Sequence, residues 1–317
     1  MFKNEDGESI TYTEWLKERQ DGIGGSDVAG ICGKSPFETP YTIYLNKTSS
    51  VNSEDDLTNE PMYWGTRLED LIAKEWAGKN KKSIRRIHRI IKHPKYSMLF
   101  ANIDRAVNKE KAILEIKTSG SYNRSKWDQG VPEMYNLQVQ HYMSVLSYKK
   151  AYVAVLIGGN QYRQFEVDRD DALIEEITTK CIDFWINHVQ KRIPPEPIEQ
   201  DVDSQLIYQI YDHSEPCFDI EDQSVQPLCD QYNELKLKEK DISSQVKSAK
   251  NKLVLALGNH QSGVCGDFRL SIGKRRTSRF NAKKFQVDHQ KLYDQYKEDS
   301  SYSVFALKKL GEGVIEG

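Results

Sequence analysis

Apolar residues along the chain follow two periods, and these separate strands from helices. Ile113 to Ile116 and Ala151 to Ile157 are short apolar runs, and the second is followed by a glycine turn and a partner run, Tyr162 to Val167. We expect all three to be strands, and the second to be buried. The next apolar residues repeat at helical spacing and predict a helix with one packed face. That face comprises Leu173, Ile177, Cys181, Phe184 and His188.

Three segments nearer the N-terminus and the middle of the chain also have helical patterns. A run from Trp64 through Trp76 places Leu68, Leu71, Ile72, Glu75 and Trp76 at helical spacing. Tyr135 to Met143 predicts another helix, and Glu14 to Gln20 a third. After this third helix, Gly22, Gly24 and Gly25 predict a tight turn, and Ser26 is placed to cap the helix that follows.

The C-terminal third of the chain has a different organisation. A proline cluster at Pro194 to Pro197 and an acidic stretch through Asp203 indicate the exit from the first domain. Beyond it we expect a long helix ending at Gly258, a short strand and a helix from Ala282 to Tyr296. The apolar face of the long helix either pairs with another chain or folds back onto the core. Its members are Leu228, Tyr232, Leu235, Ile242, Val246, Ala249 and Leu253.

Composition narrows the class of protein. The chain has 317 residues, a net charge of -2 and a mean hydropathy of -0.69, with no apolar run long enough to cross a bilayer and no visible signal peptide. The five cysteines form no Cys-X-X-Cys pair, so neither a disulfide framework nor a zinc site is indicated. We therefore expect a soluble, cytoplasmic enzyme.

Basic charge is concentrated in one segment although the whole chain is slightly acidic. Eight basic residues and no acidic one lie between Lys79 and Phe100. Two interpretations stay open: the segment contacts the phosphates of a nucleic acid, or it is an edge strand kept basic against aggregation. The basic residues are Lys79, Lys81, Lys82, Arg85, Arg86, Arg89, Lys92 and Lys95.

One pair of neighbouring segments has the residue types of a metal-dependent nuclease. Asp104 follows an apolar run, and Glu115 and Lys117 lie on the strand that comes after the turn at Asn108 and Lys109. Side chains two apart on a strand share a face, so Glu115 and Lys117 point the same way, and a hairpin brings Asp104 beside them. Two carboxylates suit Mg²⁺ or Mn²⁺, which offset charge in phosphodiester hydrolysis. The alternative is an exposed hairpin with ordinary cross-strand charges.

The motifs taken together, over about residues 14 to 192, closely resemble the YqaJ-type viral recombinase family of lambda-exonuclease-like proteins, in the restriction-endonuclease-like superfamily. The combination is more specific than any one motif. Ile103 stands where the superfamily's usual signature has a proline. The motifs are Gly24-Gly25-Ser26-Asp27, Trp64-Gly65 with Glu69, Ile103-Asp104-Arg105, Leu114-Glu115-Ile116-Lys117, and Gln138-Val139-Gln140 with Tyr142.

The resemblance implies a role for each matching residue. Asp104, Glu115 and the Ile116 carbonyl would bind metal, and Glu69 would support a second ion. Lys117 would position the attacking water. Gln138 would hold either this water or the substrate strand near the scissile phosphate. Arg19 and Ser26 would bind a 5′-phosphate as an anion hook. Each has a plainer alternative: Ser26 as a helix cap, Arg19 as a solvated charge, Gln138 as a surface amide and Glu69 as part of an i,i+4 network.

The resemblance also implies the fold and the function. We predict an α/β fold: a restriction-endonuclease-like core with a mixed central β-sheet flanked by helices at residues 1–200, and a C-terminal, mainly helical extension at residues 201–317. The expected function is 5′-to-3′ degradation of linear double-stranded DNA, which leaves 3′ overhangs for phage-type recombination. The expected cofactor is a pair of Mg²⁺ or Mn²⁺ ions. A single-strand annealing protein would be the partner, and a ring-shaped trimer the assembly. The alternatives are a structure- or sequence-specific endonuclease and a DNA-end-binding protein with a vestigial metal site.

Overall fold

The computed structural model divides into two units, Met1–Asp212 and His213–Gly317. It describes residues 2–3, 9–49, 60–198, 207, 220–298 and 305–307. The predicted boundary between residues 200 and 201 lies outside the described residues. None of the helices in the described ranges is both long enough and apolar enough to span a membrane.

A five-stranded mixed sheet is the centre of the first unit. The strands of the unit are β1 (Phe2–Lys3), β2 (Ser9–Ile10), β3 (Ile84–Arg85), β4 (Ile91–Lys92), β5 (Phe100–Ala101), β6 (Arg105–Val107), β7 (Ala112–Ser119), β8 (Lys150–Ile157) and β9 (Gln161–Asp168). The strand order in the sheet is β3-β6-β7-β8-β9, in which β7 and β8 are parallel and the other neighbours are antiparallel. This confirms the predicted mixed sheet.

Helices flank the sheet, and the predicted helical segments are confirmed with longer bounds. The helix expected from Trp64 extends over 21 residues, but Leu71 is 63% exposed and not on its packed face as expected. The buried face of that helix is instead centred on Ile72, Ala73 and Trp76. The helices are α1 (Tyr12–Gln20), α2 (Gly25–Ile31), α3 (Pro40–Thr48), α4 (Glu60–Asn80), α5 (Glu133–Leu146) and α6 (Asp171–Phe184), with a 3₁₀-helix at Ser121–Trp127 and a π-helix at Trp185–Gln190.

Strand β7 is buried on both faces because helices cover it from both sides. Ile113 packs in the cluster that includes Val139 and Met143 of α5, whereas Leu114 packs in the cluster that includes Trp76 of α4. Side chains alternate between the faces of a strand, so Glu115 shares the α5 side with Ile113. The alternation therefore places a carboxylate inside the layer between the sheet and α5.

The chain turns between α1 and α2 as predicted, with Asp21 in a turn and Gly22 in a bend, and the three glycines at this point also serve close packing. None of Gly22, Gly24 and Gly25 has a positive φ. A Cβ on Gly22 would lie 2.4 Å from the carbonyl oxygen of Met98, and one on Gly25 would lie 2.4 Å from the ring of Tyr142. These positions lack a side chain because other groups occupy the space.

The second unit is mainly helical, as predicted. Helix α7 (Val225–Leu257) ends at Gly258, whose φ is 57°, and most of its apolar stripe is exposed. Its expected partner, another chain or the core, stays a prediction. The expected single strand is a hairpin, β10 (Ser262–Cys265) and β11 (Phe268–Ser271). The expected last helix is two short helices, α8 (Ala282–Asp288) and α9 (Gln290–Tyr296), because the backbone of His289 (φ -140°, ψ 50°) is not helical.

Candidate active site

The hairpin of β6 and β7 brings the two predicted carboxylates together. Asp104 immediately precedes β6, and Lys109 makes the turn with a φ of 62°. The Ile116 backbone N–H donates to Asp104 Oδ2 at 2.8 Å, which fixes this carboxylate against the strand that carries Glu115. Glu115 is only 3% exposed. The exposed-hairpin alternative is therefore wrong.

Lys117 and Gln138 both contact one oxygen of Glu115. Lys117 Nζ lies 2.7 Å from Glu115 Oε1, and Gln138 Nε2 donates to the same oxygen at 2.8 Å. Gln138 is 8% exposed, so the surface-amide alternative is wrong. The other oxygen, Glu115 Oε2, is buried and has no hydrogen-bond partner. An unpartnered carboxylate oxygen in a protein interior is costly unless a cation or donor satisfies it.

The three charges in this pocket perturb one another. Burial and the neighbouring carboxylate of Glu115 raise the pKa of Asp104 well above its ordinary value. Burial opposes the charged form of Lys117, but Glu115 and Asp104 outweigh it and raise the pKa of this ammonium. The pocket thus holds one ammonium beside two carboxylates that repel each other.

The residues of this pocket fit a hard divalent cation. Asp104 and Glu115 offer carboxylate oxygens, and the unsatisfied Oε2 of Glu115 is the atom that a metal ion would bind. Ile116 lies between Glu115 and Lys117 on β7, with its N–H already bound to Asp104. Within the described ranges, no three His, Cys, Asp or Glu side chains group closely enough to hold a metal by themselves.

Glu69 lies beside this pocket but is engaged by arginines. Its Oε1 accepts from Arg105, which is 3% exposed, and from Arg86 at 3.0 Å. Arg105 also donates to the Asp104 carbonyl at 2.7 Å. The negative charge of Glu69 contributes to the raised pKa of Asp104, after burial, Glu115 and the opposing effect of Lys117. Glu69 is therefore an electrostatic neighbour of the carboxylate pair, tied to it through Arg105.

Arg19 and Ser26 meet as the predicted pair. Arg19 NH2 donates to Ser26 Oγ at 3.0 Å, and the guanidinium stacks on the ring of Trp15 with 4.9 Å to its centroid. The capping alternative for Ser26 is wrong, because α2 begins at Gly25 with Gly24 as its N-cap. Asp27, the third residue of α2, accepts the N–H of this N-cap residue at 2.9 Å. The Ser26 hydroxyl, on an exposed residue, points to Arg19.

Two tyrosines of α5 contact the site residues, although no sequence motif assigns them a role. The Tyr142 hydroxyl accepts from Gln138 at 3.0 Å, and its ring packs on Gly25, so it connects the α2 start with the carboxylate pocket. Tyr142 lies four residues after Gln138, one helical turn, and this spacing could have revealed it. Lys117 Nζ lies 4.9 Å from the ring centroid of Tyr135, which stacks on Trp127.

Comparison with known proteins decides the family. The uncharacterized protein YqaJ of Bacillus subtilis (strain 168) is 34% identical over 306 residues, which cover 95% of each chain. The chain belongs to the YqaJ family. The profile described as "YqaJ-like viral recombinase domain" matches residues 14–149, which include every residue of the site described above. The resemblance found from the motifs is thus confirmed.

Solved structures similar to this YqaJ-family protein include two nucleases. An alkaline exonuclease (LHK-Exo) from Laribacter hongkongensis is 19% identical, with a TM-score of 0.48, covering 62% of this chain and 99% of its own. A phage-related exonuclease from Haemophilus somnus 129PT is 13% identical, with a TM-score of 0.39, covering 60% of this chain and 96% of its own.

The basic segment of this YqaJ-family protein is partly neutralised by the fold. Strand β3 is at the edge of the sheet, as the aggregation interpretation supposed. Lys79 pairs with Glu75, Lys82 with Glu110 and Arg86 with Glu69. Contact of this segment with DNA stays a prediction.

Proposed function

We propose that this protein is a Mg²⁺-dependent exonuclease that degrades the 5′-ended strand of linear double-stranded DNA and leaves a 3′ overhang for phage-type homologous recombination. Membership of a viral recombinase family supports a nuclease that acts on DNA. The observation that carries the proposal is the pair of Asp104 and Glu115, with one buried unpartnered oxygen, beside the ammonium of Lys117.

Asp104, Glu115 and the carbonyl of Ile116 would hold Mg²⁺ or Mn²⁺, and Glu69 would support a second ion through water. Bound there, the ions would offset charge on the scissile phosphate and lower the pKa of the attacking water. Positive charge also relieves the repulsion that raises the pKa of Asp104. The ion pair of Glu69 with Arg105 favours a supporting role over direct ligation.

Lys117 and Gln138 would orient the attacking water. Both already contact Glu115 Oε1, so both lie at the edge of the pocket where the water would be. The Tyr135 ring restricts the ammonium from one side, and the Tyr142 hydroxyl holds the Gln138 amide. Fixed side chains of this kind lower the entropy cost of reaching the reactive geometry.

The strand polarity would come from the Arg19 and Ser26 hook. A guanidinium and a hydroxyl 3.0 Å apart can bind one phosphate together, and charge-assisted bonds of this kind are among the stronger hydrogen bonds. The ring of Tyr142 joins the helix of Ser26 to the carboxylate pocket, so a bound 5′-phosphate would lie near the metal ligands. The annealing partner and the ring-shaped trimer rest on the family resemblance alone.

The test is digestion of a linear duplex with one 5′-phosphate and a different label on each strand. Reactions contain Mg²⁺ or EDTA and include a closed circle as second substrate and the Glu115→Gln protein as control. We expect Mg²⁺-dependent loss of the 5′-phosphorylated strand alone, with the circle intact and the variant inactive. Cutting of the circle would instead identify an endonuclease. Tight end binding without any cleavage would identify an end-binding protein.

A further inference from the structure

A buried ion pair lies directly behind the Arg19 and Ser26 hook. Lys47 Nζ is 2.7 Å from Asp27 Oδ2, and the two side chains are 6% and 9% exposed. Lys47 belongs to the last turn of α3, and Asp27 to the first turn of α2. A buried ion pair is weak evidence for stability, because desolvation offsets much of its attraction. Its position therefore calls for another explanation.

Both partners bind backbone that carries the hook. Lys47 Nζ donates to the carbonyl of Arg19 at 2.8 Å, and Asp27 Oδ2 accepts the N–H of Gly24 at 2.9 Å. The first bond fixes the end of α1, where Arg19 is. The second fixes the start of α2, where Ser26 is. The ion pair thus links the two backbone segments whose side chains meet at 3.0 Å.

A second contact holds the same end of α1 against α3. Gln20 Nε2 donates to the carbonyl of Asn46 at 2.8 Å. The last turn of α3 therefore binds two successive residues of α1 from behind, while the Arg19 guanidinium extends to Ser26 and Trp15. Such support keeps a binding group within the small displacement that its function tolerates.

The charges behind the hook are balanced. Burial disfavours the carboxylate of Asp27, but Lys47 and Arg19 hold its pKa below the ordinary value, so it stays ionised. Glu38 is a further neighbour, and burial together with Asp27 raises its pKa to about 7. An unneutralised Asp27 would add negative charge near an incoming phosphate, and Lys47 prevents this.

We propose that Lys47 and Asp27 are positioning residues for the 5′-phosphate hook: through their ion pair they fix Arg19 and Ser26 at the separation that binds a terminal phosphate. This inference rests on the proposed function, in which the hook reads the 5′ end. It assigns to the pair the discrimination between phosphorylated and unphosphorylated ends, and not the cleavage chemistry.

The test is the ratio of dissociation constants for 5′-hydroxyl and 5′-phosphorylated duplexes, measured in Ca²⁺ at one alkaline pH with the full chain. The variant is Asp27→Asn with Lys47→Met, which removes both buried charges together and so avoids leaving one unpaired. Both dissociation constants are measured on one preparation of each protein. A change in the folded fraction alters both constants by the same factor and therefore leaves their ratio unchanged. The matched control is Lys150→Met with Glu166→Gln, a cross-strand ion pair of β8 and β9.

We expect the double variant to lower the ratio about tenfold, as for a weakened hydrogen bond to a charged group, while the control keeps the parent ratio. A parent that prefers phosphorylated ends and a double variant with the same preference would overturn the inference alone. A parent ratio near one would overturn the hook and the inference together. If the double variant does not fold, Asp27→Asn with Lys47→Gln serves with the same two outcomes, because it also removes both charges and its asparagine oxygen can still accept the Gly24 N–H.

Discussion

Gln138 and Lys117 donate to the same oxygen of Glu115, Oε1, at 2.8 and 2.7 Å, and leave its Oε2 buried without a partner. The carboxylate is therefore oriented by the protein before any ion binds. The Glu115 carboxylate is close enough to Asp104 to raise, together with burial, the pKa of that side chain. A metal site needs ligands that are oriented in advance in this way. The repulsion between Asp104 and Glu115 in the metal-free protein can be measured as a change in stability.

Asp104→Asn should raise the stability of the metal-free protein and abolish its response to metal. The asparagine oxygen can still accept the Ile116 N–H, whereas the repulsion with Glu115 disappears. We expect a gain on the order of 1 kcal/mol in EDTA, or about 2–4 °C in the melting temperature. Thermal melts with EDTA, Mg²⁺ and Mn²⁺ measure both effects. A variant that melts below the parent in EDTA would contradict the repulsion.

Lys117→Ala should abolish cleavage and preserve DNA binding. Removal of a group that positions the attacking water or moves its proton costs about 10²- to 10⁴-fold in rate. Cleavage is measured in Mg²⁺, and binding to a linear duplex in Ca²⁺. Lys126→Ala, on the 3₁₀-helix that follows β7, is the control lysine and should cleave normally. Unchanged turnover of the Lys117 variant would remove this residue from the site.

Arg19→Lys should reduce the preference for 5′-phosphorylated ends although it keeps the charge. Lysine cannot reproduce the fork that reaches Ser26 and stacks on Trp15. We expect the preference to fall about tenfold, in line with a hydrogen bond to a charged group. Competition between the two kinds of end, digested in one tube, gives the preference directly. Ser26→Ala should have a smaller effect of the same sign, and a larger one would reverse the assigned order of the two groups.

The sequence predicted the parts of the site that depend on local spacing. Glu115 and Lys117 share a strand face by the period of two, and a hairpin turn fixes Asp104 beside them, so three residues followed from pattern alone. Contacts between distant segments could not be read in this way. Lys47, Arg19 and Asp27 lie on three different helices, and Lys47 contacts the other two in the fold. The spacing of residues along the sequence does not predict such contacts.

Distant contacts also decide how the glycines and Ser26 are used. The chain turns at Asp21 and Gly22, as the glycines predicted, but Gly24 and Gly25 have no positive φ, and their lack of a side chain admits the rings of Phe100 and Tyr142. Ser26 was expected to cap α2, but Asp27 accepts the N-cap N–H instead. In each case the local preference of a residue was real, and a tertiary contact decided its use.

Stability should fall in mild acid because His141 is buried as a neutral ring. Its Nε2 lies 2.9 Å from the Phe100 carbonyl, and burial lowers its pKa from 6.5 to about 4. The unfolded chain takes up the proton first, so stability is full above about pH 6.5 and declines as pH falls toward 4. The loss is on the order of 3 kcal/mol, at about 1.36 kcal/mol for each pH unit between the two values.

His141→Gln isolates this contribution because glutamine can donate to Phe100 and does not titrate. Urea unfolding at several pH values, from neutral to about pH 4, gives the slope for parent and variant. We expect a shallower decline in the variant, although its stability at neutral pH is lower. Parallel slopes would show that other groups, such as the ionised Asp27, account for the acid sensitivity.

A chain that ends at Glu221 should keep the proposed metal site. The first unit extends to Asp212 and contains the sheet, its flanking helices and each site residue discussed above. Within the described part of the chain, Leu257 is the only buried residue of helix α7. Little of the apolar surface of this helix is therefore packed, and we expect its removal to cost little stability. We expect a soluble truncated protein whose melting temperature rises with Mg²⁺ as in the full chain. The full chain with Leu235→Ser and Ile242→Ser is the matched comparison, since it alters only the exposed stripe. Insoluble truncated protein would show instead that the stripe packs on the nuclease core.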